Sequence, residues 1–165
     1  MATTKLGEST VHTVGDLPAV GSPAPAFVLT GTDFGDVHSE SFAGRRLVLN
    51  IFPSVDTGVC SASVRRFNEL AAGLENTTVV CASRDLPLAQ ARFCGAEGID
   101  GVVMGSDFRG HFGDDYGVTL TDGKWARMLA RAVVVVDADG TVVYTELVPV
   151  IGQEPDYDAA VAALG

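Results

Sequence analysis

The segment Pro53–Cys60 contains the residues of this chain that are best suited to do chemistry. It reads Pro-Ser-Val-Asp-Thr-Gly-Val-Cys and lies between an apolar, strand-like run from Leu47 to Phe52 and a run with helical periodicity. A cysteine in the first turn of a helix lies near free backbone N–H groups and the positive end of the helix dipole, and both stabilise its thiolate. Because the thiolate is the nucleophilic form, Cys60 is a candidate reactive cysteine.

Three further residues could complete a site around Cys60. Thr57 lies three residues earlier, where its hydroxyl can cap the helix beside the sulfur. Pro53 has no N–H and can close one side of the pocket without competing for hydrogen bonds. Arg131 interrupts an apolar strand, and a guanidinium beside Cys60 would stabilise the thiolate and orient a peroxide. The residues equally fit an inert cysteine in a capped helix and a surface arginine, because spacing alone does not bring Arg131 to Cys60.

The other two cysteines differ from Cys60 and from each other. Cys94 is predicted near the end of a short helix beside Gly95, where fraying would give the mobility that a resolving thiol needs, although a packed, half-exposed cysteine fits as well. Cys81 falls in an apolar strand and is interpreted as a core residue. Thr57 stands where a dithiol reductase has the first cysteine of C-x-x-C, which excludes that class. The Cys and His spacings match no metal pattern, and we expect neither a metal nor a cofactor.

The elements that must position these residues alternate between strands and helices. Strands are predicted at 10–14, 26–30, 45–52, 77–82, 102–104, 131–136 and 141–146, and helices after 57, over 87–94 and over 155–164. The first of these strands could be a hairpin arm closed by Gly15 and Asp16. Asp85 is predicted to cap the second helix and Gly95 to end it. The order predicts one α/β domain over residues 1–165, a thioredoxin-like fold with a central mixed sheet flanked by helices and N-terminal β-hairpin additions.

Composition limits the possible partners. The chain has 165 residues, 47% of them hydrophobic, and a formal net charge of −10. No Lys/Arg cluster is present to neutralise phosphates, so we expect no nucleic-acid partner. The N-terminus lacks the apolar core of a secretory signal, and no run approaches the roughly 20 apolar residues that cross a bilayer. We therefore expect a cytoplasmic protein without a membrane partner.

Several separate motifs resemble one family. The pattern Pro53-x-x-x-Thr57-x-x-Cys60 is similar to the active-site motif of the peroxiredoxins, and the resemblance is strongest to the bacterial thiol peroxidase subgroup, the atypical two-cysteine peroxiredoxins. Further stretches in the same order extend it over nearly the whole chain: 50–57, 85–98, 129–132 and 154–157. Two positions depart from the subgroup, since Gly58 and Lys124 stand where proline is usual.

The resemblance implies roles for five residues. Cys60 would be the peroxidatic thiolate and Cys94 the resolving cysteine, with Thr57, Arg131 and Pro53 completing the pocket. It also implies a hydroperoxide substrate, a thioredoxin-like reductant, a role in antioxidant defence and a homodimer built beside the active site. Two other classes stay open on the residues alone. The chain could be a redox sensor whose Cys60–Cys94 bridge changes a partner surface without turnover, or a scaffold with inert cysteines.

Overall fold

A computed structural model describes all residues from 1 to 165 and contains nine strands, four α-helices and one short 3-10 helix. The strands are β1 (Thr3–Leu6), β2 (Ser9–His12), β3 (Val28–Thr30), β4 (Asp36–His38), β5 (Arg46–Ile51), β6 (Thr77–Ser83), β7 (Val103–Ser106), β8 (Ala132–Val136) and β9 (Val142–Leu147). The helices are α1 (Gly58–Ala71), α2 (Pro87–Glu97), α3 (Phe112–Asp115) and α4 (Tyr157–Ala162), and the 3-10 helix is Ser39–Phe42. None of the helices is both long enough and apolar enough to cross a membrane.

Seven strands form one mixed sheet in the order β4-β3-β7-β6-β5-β8-β9. β5, β6 and β7 are parallel and are joined through α1 and α2, whereas β8 pairs with β5 and with β9 antiparallel. β5 and β8 are buried on both faces, which explains their nearly continuous runs of apolar residues. The predicted central mixed sheet is confirmed.

The two faces of this sheet carry separate cores. Alternate residues of β5 point to opposite sides, so that Leu47, Leu49 and Ile51 join one core while Val48 joins the other, together with Phe52 just after the strand. The first core packs beneath α3. The second contains buried residues of α1, α2 and α4 and also Cys60 and Cys81. Cys60 and Cys81 therefore both lie on the face of the sheet that α1, α2 and α4 cover.

The helix after Thr57 begins where the sequence predicts it. Thr57 is the N-cap residue of α1, and its side-chain oxygen accepts a hydrogen bond from the Cys60 backbone N–H at 3.3 Å. This bond satisfies one of the backbone donors that a helix N-terminus leaves free. Val64 and Phe67 then bury one side of the helix against the sheet.

Two predictions about α2 are wrong. Leu86, not Asp85, is the N-cap residue, and it makes no side-chain capping bond. The helix also continues past Gly95 to Glu97 and ends at Gly98, whose φ of 66° lies in the left-handed region that favours glycine. Cys94 consequently lies within the last turn of the helix. Gly95 is an ordinary helical residue. The prediction failed because the local sequence does not show which of two nearby glycines ends the helix.

The N-terminal hairpin also differs from its prediction, because other residues form its strands. A hairpin is present, but its arms are β1 and β2, and Gly7 with a φ of 63° lies in the turn between them. Residues 13 and 14 lie beyond β2, and Val14 donates a backbone hydrogen bond to Thr119. The predicted strand therefore covers only the second arm. The first arm of the hairpin, β1, contains two threonines and was not predicted.

Candidate active site

Cys60 lies in the first turn of α1 and its side chain is fully buried. The turn before it is held by Ser54, whose carbonyl oxygen accepts hydrogen bonds from the Thr57 backbone N–H at 3.2 Å and the Thr57 hydroxyl at 3.3 Å. Pro53, also buried, ends the β5 run and directs the chain into this turn. The structure thus places Pro53 and Thr57 in one compact loop at the end of β5, with Cys60 directly after it in α1. We call residues 53–57 the Cys60 loop.

Arg131 reaches this loop from a different strand. β5 and β8 pair antiparallel with Ile51 opposite Ala132, so the residue before Ala132 lies beside the end of β5. Arg131 shares the side of Val133 and Val135, the side on which α1 packs. Its Nη2 donates to the Cys60 sulfur at 3.1 Å, and its Nε donates to the Ile151 carbonyl oxygen at 2.7 Å. The tertiary fold therefore brings together the two residues whose spacing left their approach open.

The electrostatic situation of Arg131 is unusual. The residue is only 1% exposed, and its Nη1 has no hydrogen-bond partner. A buried guanidinium is costly unless a negative charge or hydrogen bonds compensate it. Its side chain contacts a sulfur and a backbone carbonyl, and it forms no salt bridge with a carboxylate. A thiolate at Cys60 would supply the compensating charge, and the free Nη1 donor remains available for an additional acceptor.

Two polar residues that sequence reasoning did not single out support the backbone of Cys60. Ser63 donates from its hydroxyl to the Cys60 carbonyl oxygen at 2.7 Å, and it accepts a hydrogen bond from the Asn50 side-chain amide at 3.2 Å. Both side chains are completely buried. Asn50 stands in the middle of the apolar β5 run, and an isolated amide in such a strand is the signal that could have identified it.

Asp85 is the third residue whose role was missed, because it was assigned to helix capping. Its carboxylate instead accepts hydrogen bonds from the Ser54 hydroxyl at 2.7 Å and the Val55 backbone N–H at 2.9 Å. Asp85 therefore binds the Cys60 loop rather than α2. Its position within the matched 85–98 stretch was a hint, but its partners are about 30 residues away and no local pattern names them.

Cys81 and Cys94 lie on the same face of the sheet as Cys60. Cys81 is fully buried in β6, where burial is the main cause that raises the pKa of its thiol to about 12. Cys94 is partly buried in the last turn of α2 and packs against the core that contains Cys60. Burial raises the pKa of the Cys94 thiol as well. All three cysteines are free thiols in this structure.

The structure offers no cluster of metal ligands. No three His, Cys, Asp or Glu side chains lie together in a way that could hold a metal ion. The groups gathered at the site are the Cys60 thiol, the Arg131 guanidinium, the Thr57 hydroxyl and backbone N–H groups. This set of groups suits nucleophilic attack by sulfur on an electrophile whose developing negative charge needs hydrogen-bond donors.

Comparison with known proteins agrees with this description. The Redoxin family matches residues 19–161. A thiol peroxidase of Mycobacterium tuberculosis is 61% identical over 165 residues, covering 100% of this chain and 99% of the relative. A thiol peroxidase of Corynebacterium glutamicum is 56% identical over 164 residues, with 99% of each chain covered. Among solved structures, a peroxiredoxin-like protein from Aquifex aeolicus superposes with a TM-score of 0.93 at 38% identity, covering 98% of this chain and 95% of that one.

A match over most of the chain and relatives of such high identity define the class of protein. The chain belongs to the Redoxin family, and the predicted thioredoxin-like fold is confirmed. Within that family it is a peroxiredoxin-type oxidoreductase of the thiol peroxidase group.

Proposed function

We propose that this enzyme reduces hydrogen peroxide and organic hydroperoxides to water and alcohols with Cys60 as the peroxidatic residue. The Cys60 thiolate attacks the terminal oxygen of the hydroperoxide, the O–O bond breaks, and the leaving alkoxide or hydroxide takes a proton. Cys60 is left as a sulfenic acid, which is the first step of cysteine oxidation. The thiolate is oxidised by two electrons and the peroxide is reduced by the same two.

The observation that carries this proposal is the contact between Arg131 Nη2 and the Cys60 sulfur at 3.1 Å, together with the unpartnered Nη1 of the same guanidinium. One donor addresses the nucleophile while the second is free for a peroxide oxygen. Thr57 holds the helix start beside the sulfur, and Pro53 closes the pocket. Because the donors are fixed before the reaction, they can stabilise the charge that moves onto the leaving oxygen.

Cys94 is proposed as the resolving cysteine. Its thiol attacks the Cys60 sulfenic acid, an S–S bond forms within one chain, and water leaves. Both cysteines lie in helical turns, so the step requires local unwinding at the start of α1 and the end of α2. Unwinding also exposes Cys94, which returns its pKa toward the ordinary value and raises the fraction of thiolate available for attack.

A thioredoxin-like dithiol would complete the cycle. Its thiolate attacks the disulfide, forms a mixed disulfide, and leaves Cys60 and Cys94 reduced. We place this cycle in the cytoplasm, where such reductants keep thiols reduced. The biological role would be defence against peroxides.

We also propose a homodimer formed beside the active site. Leu86 and Leu88 at the start of α2 are 52% and 66% exposed, and Phe108 is 37% exposed. Phe108 is held next to this turn through Ser106, whose hydroxyl contacts both the Phe108 backbone N–H and the Asp85 carbonyl oxygen. Burial of these side chains in a second copy would remove their apolar area from water. Leu88→Glu should convert a dimer to a monomer in sedimentation velocity, and a monomeric wild-type chain would refute the proposal.

Cys60→Ser and Cys94→Ser test the chemistry. With thioredoxin, thioredoxin reductase and NADPH, Cys60→Ser should lose peroxide consumption completely, because serine cannot form a sulfenic acid. Cys94→Ser should complete one turnover, since the sulfenic acid then has no resolving partner, and mass spectrometry should show oxidised Cys60.

The matched control is Cys81→Ser, which should retain multiple turnovers. Full activity of Cys60→Ser would refute the peroxidatic assignment. A wild-type chain that consumed one equivalent of peroxide and then stopped, in the presence of reductant, would favour a redox sensor over an enzyme.

A further inference from the structure

The carboxylate of Asp85 connects the Cys60 loop to the segment that leads into the Cys94 helix. Oδ1 accepts a hydrogen bond from the Ser54 hydroxyl at 2.7 Å. Oδ2 accepts from the Val55 backbone N–H at 2.9 Å and from the Ser83 hydroxyl at 2.6 Å. Two of these three donors belong to the loop that precedes α1, and the third belongs to the end of β6. One side chain therefore ties the loop before α1 to the strand end that leads into the helix carrying Cys94.

The backbone of Asp85 is held by the ends of β6 and β7. Its backbone carbonyl accepts from the Ser106 hydroxyl of β7, and its backbone N–H donates to the Ser83 hydroxyl at 3.3 Å. Ser83 also accepts from the side-chain amide of Gln90, a fully buried residue of α2. The hydrogen-bond path thus runs from the Cys60 loop through Asp85 and Ser83 into the helix that carries Cys94. Movement of the Cys60 loop or of α2 therefore disturbs hydrogen bonds along this one path.

Two other contacts join the same regions, but both are ion pairs open to solvent. Arg92 of α2 contacts Asp56 at 3.0 Å, and their side chains are 64% and 63% exposed. Arg65 of α1 contacts Glu97 of α2 at 3.2 Å, with both side chains more than 40% exposed. Such pairs contribute little, because water competes for each charge. A half-buried carboxylate that accepts three hydrogen bonds is a stronger restraint.

We propose that Asp85 is a positioning residue whose hydrogen bonds form a latch. The latch holds the Cys60 loop and the Cys94 helix in their closed arrangement, and breaking these hydrogen bonds limits the rate of disulfide formation. The inference rests on the proposed resolution of Cys60 by Cys94. While the latch is closed, a Cys60 sulfenic acid cannot meet Cys94, and a second hydroperoxide can oxidise it to the sulfinic acid as the peroxide is reduced to alcohol or water. Once the latch opens, the sulfenic acid and the Cys94 thiol condense and release water. Asp85 thereby sets the ratio of resolution to overoxidation.

Asp85→Asn is the direct test, because it keeps the shape but has one acceptor oxygen where the carboxylate has two. Whichever way the amide turns, it cannot accept from both Ser54 and Val55 as the carboxylate does. We expect the first-order rate of disulfide formation after one equivalent of peroxide to rise about tenfold. The peroxide concentration that inactivates half of the enzyme during turnover should rise by about the same factor. The second-order rate of Cys60 with peroxide should change much less.

Two variants serve as controls. Arg92→Ala removes a bridge between the same two regions and should change the rate of disulfide formation by less than about twofold. Ser54→Ala removes one donor to Asp85, keeps the aspartate, and should show the same direction of effect with smaller size. It also keeps the inference testable if Asp85→Asn fails to fold. In the double variant that combines Ser54→Ala with Asp85→Asn, the second substitution should raise the rate of disulfide formation less than it does alone. Both substitutions break the same hydrogen-bond path.

The outcomes separate this inference from the proposed function. If wild-type protein forms the Cys60–Cys94 disulfide and Asp85→Asn leaves its rate unchanged or lower, Asp85 is not the latch, even if the melting temperature falls. An equal acceleration by Arg92→Ala would overturn the assignment to Asp85 as well. A wild-type chain that forms no such disulfide, recognised by identical sulfenic acid lifetimes in wild type and Cys94→Ser, would overturn the proposed resolution and the latch together.

Discussion

Cys60 and Cys81 are both completely buried on the same face of the central sheet, and yet different groups surround their sulfur atoms. Cys60 has a guanidinium nitrogen 3.1 Å from its sulfur and begins a helix. Cys81 lies inside a strand, where the Asn50 amide at 3.6 Å is a weak contact and burial dominates, raising the pKa of the thiol to about 12. Burial by itself therefore says little about cysteine reactivity. The charge and the dipoles buried with the sulfur decide it.

Alkylation of the native protein gives the largest expected contrast between the two cysteines. At pH 8 a thiol with a pKa of about 12 is ionised in about one molecule in ten thousand. Iodoacetamide should therefore label Cys60 faster than Cys81 by a factor of about 10³ or more. The rates are measured by mass spectrometry of quenched samples. In denaturant the two sites should label alike, and native labelling at equal rates would remove the distinction between them.

Removal of the guanidinium should reduce the contrast. Arg131→Gln should lower the second-order rate of Cys60 with hydrogen peroxide by about 10²-fold or more, because it removes a fixed donor and the charge beside the sulfur. Arg46→Gln is the matched control, since that arginine also bonds backbone carbonyls but lies at the opposite end of β5. Competition kinetics with a second peroxidase measure the rates. Equal rates in Arg131→Gln and wild type would place the activating group elsewhere.

The buried thiol of Cys81 should make stability depend on alkaline pH. In the unfolded chain the thiol loses its proton near its ordinary pKa of 9.0, whereas the folded thiol holds its proton to about 12. Deprotonation therefore stabilises the unfolded state first. The contribution of Cys81 to the unfolding free energy is lost as pH rises from 9 toward 12. Between pH 8 and pH 10 the wild type should lose roughly 1 to 2 kcal/mol more unfolding free energy than Cys81→Ala.

Urea unfolding of both proteins under reducing conditions at the two pH values measures this difference. The Cys81→Ala variant cancels the effects of the tyrosines and lysines, which titrate in both proteins. Parallel losses of stability in the two proteins would show that Cys81 is ionised, or solvated, in the folded state.

The smallest expected effect concerns the helix cap that Cys60 has and Cys81 lacks. Thr57→Ala removes the acceptor for the Cys60 backbone N–H and should lower the unfolding free energy by about 1 kcal/mol. Thr57→Ser keeps the hydroxyl and should remain close to wild type. Urea titration of the reduced proteins measures both. If alanine and serine variants were equally stable, the cap would not contribute to the stability of the Cys60 turn.

Local signals in the chain were sufficient for some of these features. The run from Leu47 to Phe52 predicted a buried strand, and Thr57 predicted the start of α1 because a short hydroxyl side chain satisfies a free N–H within its own turn. Where two interpretations were locally equivalent, the prediction failed. Gly95 and Gly98 both suit a helix end, and Asp85 suits a cap as well as it suits the Ser54 and Val55 donors.

The short strands were the other difficulty. β4 has only three residues, with no apolar alternation, and it exists because β3 pairs with it. β1 was missed for the same reason. A strand of this kind is stabilised by its partner, and its partner is not identified by its own residues.

By itself the sequence determined the nature of the reactive group, namely a cysteine placed behind a capping threonine at the start of a helix, because capping and helix dipoles act within a single turn. It also determined that threonine, Thr57, occupies the position at which a dithiol reductase has the first cysteine of C-x-x-C. Only the tertiary structure decided that Arg131 meets Cys60 and that Asp85 holds the Cys60 loop, since these contacts span 71 and 30 residues or more. They follow from the pairing of β5 with β8 and with β6. Register between distant strands is set by the packing of the whole sheet, and no local pattern encodes it.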